Sequence, residues 1–558
     1  MNKGLLDELI KILKQKRLSK EQLSKIKNKL CQKYKVRQPP TDIEILLHAT
    51  PEDISKMNLI VKPMRTQSGV AVVAVMSYPF ACKHGRCMYC PGGPSSFFGD
   101  VPQSYTGKEP ATMRAIRNKY DAYLQVFNRL EQYIALGHMP DKIELIVMGG
   151  TFPSFDLVYQ EEFIAYALKA MNDFGAMFFS DGKLDFVKYK QFFEMPGDMR
   201  DDSRVKRIQK RMFALKGKSS LLKEQKRNES SKIRCVAMCL ETRPDYCFEK
   251  EIDETLKLGG TRVEIGVQTV YEDVMKKIKR GHTVKDAVKA TQLMKDSFLK
   301  VGYHMMPGLI GSNAKKDVEM FKELFDNSDF KPDALKIYPC MVIEGTELYD
   351  LWKAKKYKPL TTSVAAKIIA EAKKYVPEYC RIMRVQRDIP TTMISAGVDR
   401  TNLRQYVSKL LKEKKISCKC IRCREPKGKK IDFSKVEIKR MDYSASNGQE
   451  VFISAEYNDL LLGFCRLRIP YKPFRPEITK KSAGIRELHV YGTVVPVGEK
   501  GLAVQHKGLG RKLLLEAEKI AKKEFDCDKM LVISGIGARE YYKKLGYKKD
   551  GAYMSKKC

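Results

Sequence analysis

Cys82-Lys-His-Gly-Arg-Cys87-Met-Tyr-Cys90-Pro-Gly-Gly93 follows closely on an apolar run, Gly69-Val-Ala-Val-Val-Ala-Val-Met76, and this succession decides how the chain reads. The run is what a strand buried on both faces looks like. The loop after it carries thiols at Cys-x4-Cys-x2-Cys spacing. Three thiolates from one short loop hold three irons of a 4Fe-4S cluster and leave the fourth iron without a protein ligand. An open iron is a place where S-adenosylmethionine can chelate and be used for radical chemistry. A zinc knuckle completed by a ligand from elsewhere is the competing reading, since zinc also favours Cys-x2-Cys pairs. Tyr89 and the glycine pair after Cys90 favour the cluster.

Outward from the loop, apolar runs alternate with stretches of helical length. They cover 143–148, 233–240, 262–267, 300–305 and 334–338. Six strands in this alternation predict an α/β fold built on a partial parallel barrel, with function at the strands' C-terminal ends. Those ends are polar or glycine-rich. The cysteines follow the first strand, and Gly149-Gly150-Thr-Phe152 follows the second. Glu241-Thr-Arg243-Pro-Asp245, Gln268-Thr269 and His304-Met-Met-Pro307 follow the next three. Glycines at the second end let backbone amides approach a ligand. Polar groups at successive ends point to one shared cavity.

Composition bounds the partners. A chain of 558 residues divides into two to four domains. No apolar run approaches the roughly 20 residues of a membrane span, and the first residues lack a signal-like apolar stretch. These features predict a cytoplasmic protein without a membrane partner. Fifteen cysteines in such a chain indicate metals or reduced thiols rather than disulfides. The net charge of +37 draws polyanions, nucleic acid first. That charge is clustered: residues 1–37 hold twelve Lys/Arg against three Asp/Glu, and 200–234 hold thirteen against four. A phosphate-facing role is the expectation for both stretches.

Residues 1–65 read as a small basic helical module. Leu5, Leu6, Ile10 and Leu13 recur at helical spacing, Ser19 and Gln22 form a capping box, and a third helix starts at Thr41. Further on, Cys418-Lys-Cys420-Ile-Arg-Cys423 places three thiols in a basic stretch, as a zinc site would. Zinc needs a fourth ligand, and Cys340 is expected to supply it by pinning the linker to the barrel, with Cys380 the rival. From about 436 a second α/β pattern begins, with strands at 451–455, 460–468 and 485–491. Gln505-His-Lys-Gly508-Leu-Gly510-Arg-Lys then opens an amphipathic helix. A glycine-containing turn at a helix N-terminus suits a pyrophosphate.

Taken in order, these motifs carry a resemblance. Cys87-Met-Tyr-Cys-Pro-Gly-Gly-Pro94, Gln103-Ser-Tyr-Thr-Gly107, Met148-Gly-Gly-Thr-Phe152 and Glu241-Thr-Arg-Pro-Asp-Tyr-Cys247 resemble the radical-SAM domain of the Elongator catalytic subunit. Glu264-Ile-Gly-Val-Gln268, Arg280-Gly-His-Thr283 and Val385-Gln-Arg-Asp-Ile-Pro390 extend the match. The family's archaeal members are tRNA wobble-uridine carboxymethyltransferases. The helix-opening turn, with Ser534-Gly-x-Gly537 and Tyr541-Tyr542-Lys-Lys-Leu-Gly546-Tyr547, resembles a GNAT acetyl-CoA-binding domain.

The resemblance implies a radical-SAM domain at 66–395, a cysteine-rich zinc linker at 396–435 and a GNAT-like domain at 436–558. A cluster on Cys82, Cys87 and Cys90 is implied to cleave S-adenosylmethionine. The resulting radical takes hydrogen from the acetyl-CoA methyl group, the carbon radical adds to C5 of the wobble uridine, and thioester hydrolysis leaves 5-carboxymethyluridine. Contacts to acetyl-CoA carry over onto Glu487, Leu488, His489, Val490, Leu509, Gly510, Arg511, Lys512, Tyr542 and Lys142, the last two also as catalytic groups. Gly149, Gly150 and Gln268 are the expected S-adenosylmethionine contacts, with Glu241 and Arg243 nearby. Without the resemblance, Lys142 reads as a solvated lysine and Tyr542 as a packing tyrosine. The implied partner is the tRNA anticodon stem-loop. Two assemblies stay open, a homodimer or a chain working without other Elongator subunits. The rival activity is protein lysine acetylation beside a purely structural iron–sulfur cluster.

Overall fold

The computed structural model describes residues 2–16, 18–57, 59, 69–181, 183–197, 201–427, 429, 431–491 and 508–558. The expected boundary at 65/66 and the turn residues Gln505, His506 and Lys507 lie outside them. Four helices come first: α1 (Lys3–Gln15), α2 (Lys20–Lys33), α3 (Asp42–His48) and α4 (Pro51–Lys56). Asn2, Ser19, Thr41 and Thr50 cap them, and the Ser19–Gln22 box forms as its spacing predicts. They enclose their own apolar cluster around Leu6, Leu9 and Ile45.

The first sheet has strands β1 (Ala71–Met76), β2 (Lys142–Met148), β3 (Arg234–Thr242), β4 (Arg262–Gln268), β5 (Lys300–Met305), β6 (Ala334–Ile337) and β7 (Arg381–Arg384). They pair in chain order, all parallel. The expected half-barrel is therefore present and carries a seventh strand. Helices Ala122–Ala135 and Leu157–Phe178 cover the β1–β3 side around Phe127, Leu168 and Phe174. The basic stretch after 200 forms two helices, Asp202–Lys216 and Leu221–Asn228.

The second sheet has strands β8 (Glu437–Ala445), β9 (Gly448–Tyr457), β10 (Leu460–Ile469), β11 (Ser482–Val490), β12 (Lys529–Val532), β13 (Lys548–Asp550) and β14 (Tyr553–Lys557). Its order is β8-β9-β10-β11-β12-β14-β13, with only β11 and β12 parallel. Helix Leu509–Phe525 covers one face through Leu513, Leu514, Ala517 and Ile520. The other face shares an apolar core with β4–β7, where Phe452, Phe464 and Leu531 meet Phe298, Leu335 and Ile382.

Ion pairs inside this interface are fully buried. Arg486 donates to Asp333 at 2.9 and 2.5 Å and to Glu450 at 3.1 Å. Arg468 joins Asp296 at 2.9 Å and Glu450 at 3.0 Å. Each guanidinium in the interface thus meets carboxylates from both sheets or from the helix between them. Burying such charges is tolerable only when they are paired and hydrogen-bonded.

Gly535 and Gly537 lie against β3: a side chain on Gly535 would collide with the Val236 carbonyl, and one on Gly537 with the Arg234 side chain. Close packing of the turn after β12 against β3 explains that Gly-x-Gly. Gly535→Ala should cost about 1–3 kcal/mol by overpacking. A denaturant titration with an unshifted midpoint would contradict this.

Candidate active site

One cavity of ≈ 1180 Å³ runs the length of the half-barrel. At the strands' C-terminal ends it is lined by Cys82, Cys87, Cys90, Gly150, Thr242 and Gln268. At the other end it is lined by Glu487, Leu488, His489, Val490 and Tyr542 of the second sheet's domain. That sheet meets the barrel where its strands begin. Lys300, first in β5, pairs with Glu487, and Arg381, first in β7, donates to the Tyr491 hydroxyl at 2.9 Å. The cysteine loop and the predicted coenzyme face therefore open into the same space.

Parallel barrels ordinarily fill their interior with branched apolar side chains. Here the lining is charged. Glu144 pairs with Arg262, which lies 3.1 Å from Glu264. Glu264 accepts from His304 Nε2 at 2.9 Å and pairs with Lys336, whose Nζ donates to Glu241 at 2.5 Å. Burial alone would raise both carboxyls. The Lys336 ammonium overrides it, helped by Arg262 at Glu264 and by His304 at Glu241, and holds both below the usual range. Glu487 is likewise raised by burial, but Lys300 and Arg466 bring it down to about 2. Among these cavity-lining charges, Glu144, Arg262, Glu264, Lys300 and Lys336 were missed in the sequence. The signal was the period-2 alternation within Arg262-Val-Glu-Ile-Gly-Val-Gln268 and Lys300-Val-Gly-Tyr-His-Met305, where every second residue faces inward.

At the cysteine end, Cys87 and Cys90 are buried and Cys82 half-buried. Cys90 Sγ accepts from the Ser104 amide at 3.3 Å, and Cys82 Sγ lies 3.9 Å from Thr151 Oγ1. Cys87 Sγ lies 3.3 Å from His84 Nε2 and 3.5 Å from Arg280 Nη1. Such donors suit thiolates that carry negative charge. The three sulfurs do not converge within 4.8 Å of one another, unlike those of Cys418, Cys420 and Cys423, which do. Thiols around a single zinc at about 2.3 Å must converge that closely. The wider spread fits a multi-iron cluster, so the donor set at this loop suits 4Fe-4S and the linker trio suits one ion.

Around the cluster end, Thr242 Oγ1 and Gln268 Oε1 are buried without a hydrogen-bond partner among the described residues. Gln268 also has φ +71, an uncommon conformation for a side-chain-bearing residue. Gly150 has φ +104 and lines the cavity, while Gly149, φ +122, is pressed against Ser77 behind it. Arg243 forms the structural bridge to Asp245 at 2.9 and 2.8 Å.

At the opposite end, the His489 ring stacks on Phe464 and leaves Nε2 without a hydrogen-bond partner among the described residues. Burial keeps the Tyr542 phenol protonated. Leu509 and Gly510 open the helix beside the cavity, and a Cβ on Gly510 would sit 3.6 Å from Val490 Cγ2. Arg511 and Lys512 are exposed on its first turn. Lys142 begins β2 at the same end of the barrel, outside the cavity wall.

Cys340 does not join the linker thiols. It lies in the apolar cluster beneath the cysteine loop, with Cys87, Met88 and Tyr357, and burial pushes its thiol up to about 12. The Cys340 expectation is corrected: the end of β6 points at the loop, not the linker. Beside the trio stands buried Lys373, with Nζ 3.6 Å from Cys423 Sγ. Cys380 approaches through its backbone, accepting from the Ile421 amide at 3.0 Å.

Three family models divide the chain. The radical SAM superfamily matches 76–324, the radical SAM C-terminal domain 332–413, and the acetyltransferase (GNAT) family 423–547. A Methanocaldococcus jannaschii protein named tRNA uridine(34) acetyltransferase is 50% identical over 97% of this chain and 95% of its own. Human Elongator complex protein 3 is 40% identical over 96% of this chain and 93% of its own. The chain belongs to the Elongator protein 3 family. A solved structure of M. infernus Elp3 lacking residues 1–46 superposes with a TM-score of 0.72 at 45% identity, covering 88% of this chain and all (100%) of that one. This chain carries the radical SAM and GNAT matches in succession, and residues of both matched regions line the cavity described above. Among the described residues no helix is long and apolar enough to cross a membrane.

Proposed function

We propose that this enzyme builds a carboxymethyl group onto C5 of the wobble uridine of tRNA, taking the carbon from acetyl-CoA. One observation carries the reading: a single cavity touches both the cysteine loop and the face formed by Glu487–Val490 and Tyr542. Cys82, Cys87 and Cys90 would hold the 4Fe-4S cluster, with Gly150, Thr242 and Gln268 toward S-adenosylmethionine. Loaded in this way, the site supplies a primary carbon radical by reductive cleavage of that cofactor.

The chain's own residues do the remaining work. The main chain of 487–490 and the N-terminus of helix Leu509–Phe525, with Arg511, Lys512 and Lys142 around it, bind the coenzyme. The Tyr542 hydroxyl, kept protonated, donates to the thioester carbonyl, and buried Phe464 beside half-buried Glu487–Val490 limits the access of bulk water to the methyl group. Arg384, Arg387, Arg422, Lys427 and Lys429 also line the cavity, and they suit RNA phosphates. An anticodon base is already unpaired, so presenting it costs less than flipping a base from a duplex.

The decisive assay is anaerobic, with tRNA, S-adenosylmethionine and acetyl-CoA. The proposal expects 5′-deoxyadenosine together with 5-carboxymethyluridine at the wobble position. Acetylated lysine on a protein substrate, with unmodified tRNA, would favour the acetyltransferase reading instead.

We assign zinc to Cys418, Cys420 and Cys423, with the Lys373 charge balancing the thiolates. Metal analysis of Cys420→Ser should show about one zinc fewer per chain than the parent. Equal zinc in both would remove the site.

A further inference from the structure

The Arg280-Gly281-His282-Thr283 turn reaches no substrate-facing role in the scheme above, yet Arg280 and Gly281 both bear on one sulfur. Arg280 is buried, and its guanidinium is forked: Nη1 donates to Cys87 Sγ at 3.5 Å and Nη2 to the Gly266 carbonyl at 2.9 Å. Gly266 offers that carbonyl only because it lacks a side chain; a Cβ there would collide with Arg280 Nη2. The Arg280 carbonyl in turn accepts from Arg243 Nη1 at 2.8 Å.

Gly281 has φ +81 and packs on the His84 ring, so that a Cβ would sit 2.8 Å from His84 Cδ2. His84 Nε2 is thereby held 3.3 Å from Cys87 Sγ. Thr283 closes the turn by capping helix Val284–Asp296 with a full capping box. On the other side, the Met88 amide donates to the Ile278 carbonyl at 3.1 Å, tying the cysteine loop to the same segment. Cys87 thus faces two side-chain nitrogens, one on a permanent cation and the other, on the Nε2–H tautomer of His84, able to donate to a thiolate. Cys82 has the Thr151 hydroxyl at 3.9 Å, and Cys90 has the Gln103 amide oxygen at 3.2 Å and the Ser104 backbone amide at 3.3 Å, all uncharged.

We propose that this turn sets the reduction potential of the cluster bound by Cys82, Cys87 and Cys90, through Arg280 and the His84 ring that Gly281 holds in place. Reduction by one electron adds negative charge that is shared onto the thiolates. Donors and a positive charge at Cys87 stabilise the reduced form more than the oxidised form, which raises the potential. The reading rests on the cluster assignment made above.

Anaerobically reconstituted enzyme would be titrated with dithionite and redox mediators, following the reduced cluster by electron paramagnetic resonance. Arg280→Gln is expected to lower the reduced-to-oxidised ratio at fixed potential by about tenfold, which is about 59 mV for a one-electron couple. Arg280→Lys, which keeps the charge and loses the fork, should shift less, and His84→Leu should shift in the same direction. Iron content should equal the parent's in all three. If Arg280→Gln fails to assemble, His84→Leu, at a half-buried position, carries the test alone. Unchanged midpoints with full iron content would overturn the proposal while leaving the cluster assignment standing. A parent enzyme that binds no iron at this loop would overturn both.

Discussion

Cys87→Ala enzyme, assayed anaerobically with tRNA, S-adenosylmethionine and acetyl-CoA, should release at least about a thousandfold less 5′-deoxyadenosine than the parent, the scale seen when one member of an interdependent catalytic set is removed. The reason is ligand arithmetic. Three thiols serve three irons, and losing the buried central one leaves a site that cannot hold the cluster with a single open iron. Cys87 sits at the floor of the loop among Met88, Tyr89, Val274 and Met275. The substitution trims only a small buried side chain there. Coenzyme binding should survive, because the residues assigned to it lie at the opposite end of the barrel, all but Lys142 in the second sheet's domain. Retained acetyl-CoA binding with lost 5′-deoxyadenosine is the expected pair of results. Undiminished 5′-deoxyadenosine would show that the loop does not carry the radical chemistry.

Arg486→Met should destabilise the protein by about 3–5 kcal/mol, as breaking a buried ion pair from one side does. Arg486 spans Asp333 of the barrel and Glu450 of the second sheet at 2.5 and 3.1 Å, closer than Lys295 at 3.9 and 3.4 Å, and both carboxylates would lose their nearest shared cation without it. Burial opposes ionisation of Asp333, yet Arg486, Lys295 and Arg466 together hold its carboxyl far below the usual range. A carboxyl depressed on folding contributes stability that is present above its unfolded pKa and disappears as pH falls through the folded one. Glu487 follows the same rule between about 4.3 in the unfolded chain and about 2 in the folded one. Parent enzyme should therefore lose stability progressively below about pH 4, and Arg486→Met, already less stable at pH 7, should lose less over the same range because Asp333 and Glu450 are no longer held down by its guanidinium. Thermal unfolding followed from pH 7 to pH 3 reads both effects. Identical pH profiles would mean that the interface charges do not act on stability as paired groups.

How much of this was legible in the sequence depended on whether local pattern or tertiary environment decided each residue. Continuous apolar runs revealed β1 to β6, because a strand covered on both faces must be apolar. The seventh, Arg381-Ile-Met-Arg384, is short and half polar, and becomes a strand only by pairing with β6. Glu437–Ala445 escaped for the same reason, being an edge strand with mostly exposed side chains. The cysteine loop stood out because its spacing is itself the chemistry, whereas Glu487–Val490 were singled out only through the family resemblance. The charged barrel interior did not stand out. Glu144, Arg262, Glu264, Lys300 and Lys336 look like ordinary surface charges until the parallel register places them on one inward face. Cys340 misled for the opposite reason: a thiol at a strand end suggests a ligand, but its direction is fixed by packing under the loop. Gly535 and Gly537 were read with the coenzyme motif, whereas the close approach of the turn after β12 to β3 requires them.

The account turns on whether chemistry begun at Cys82–Cys90 reaches a carbon held against Glu487–Val490 and Tyr542 through the polar barrel. Acetyl-CoA carrying a trideuterated methyl group tests that passage directly when supplied with tRNA and unlabelled S-adenosylmethionine. Mass spectrometry of the 5′-deoxyadenosine should show one deuterium gained per molecule. Unlabelled 5′-deoxyadenosine from enzyme that is modifying its tRNA would contradict the account.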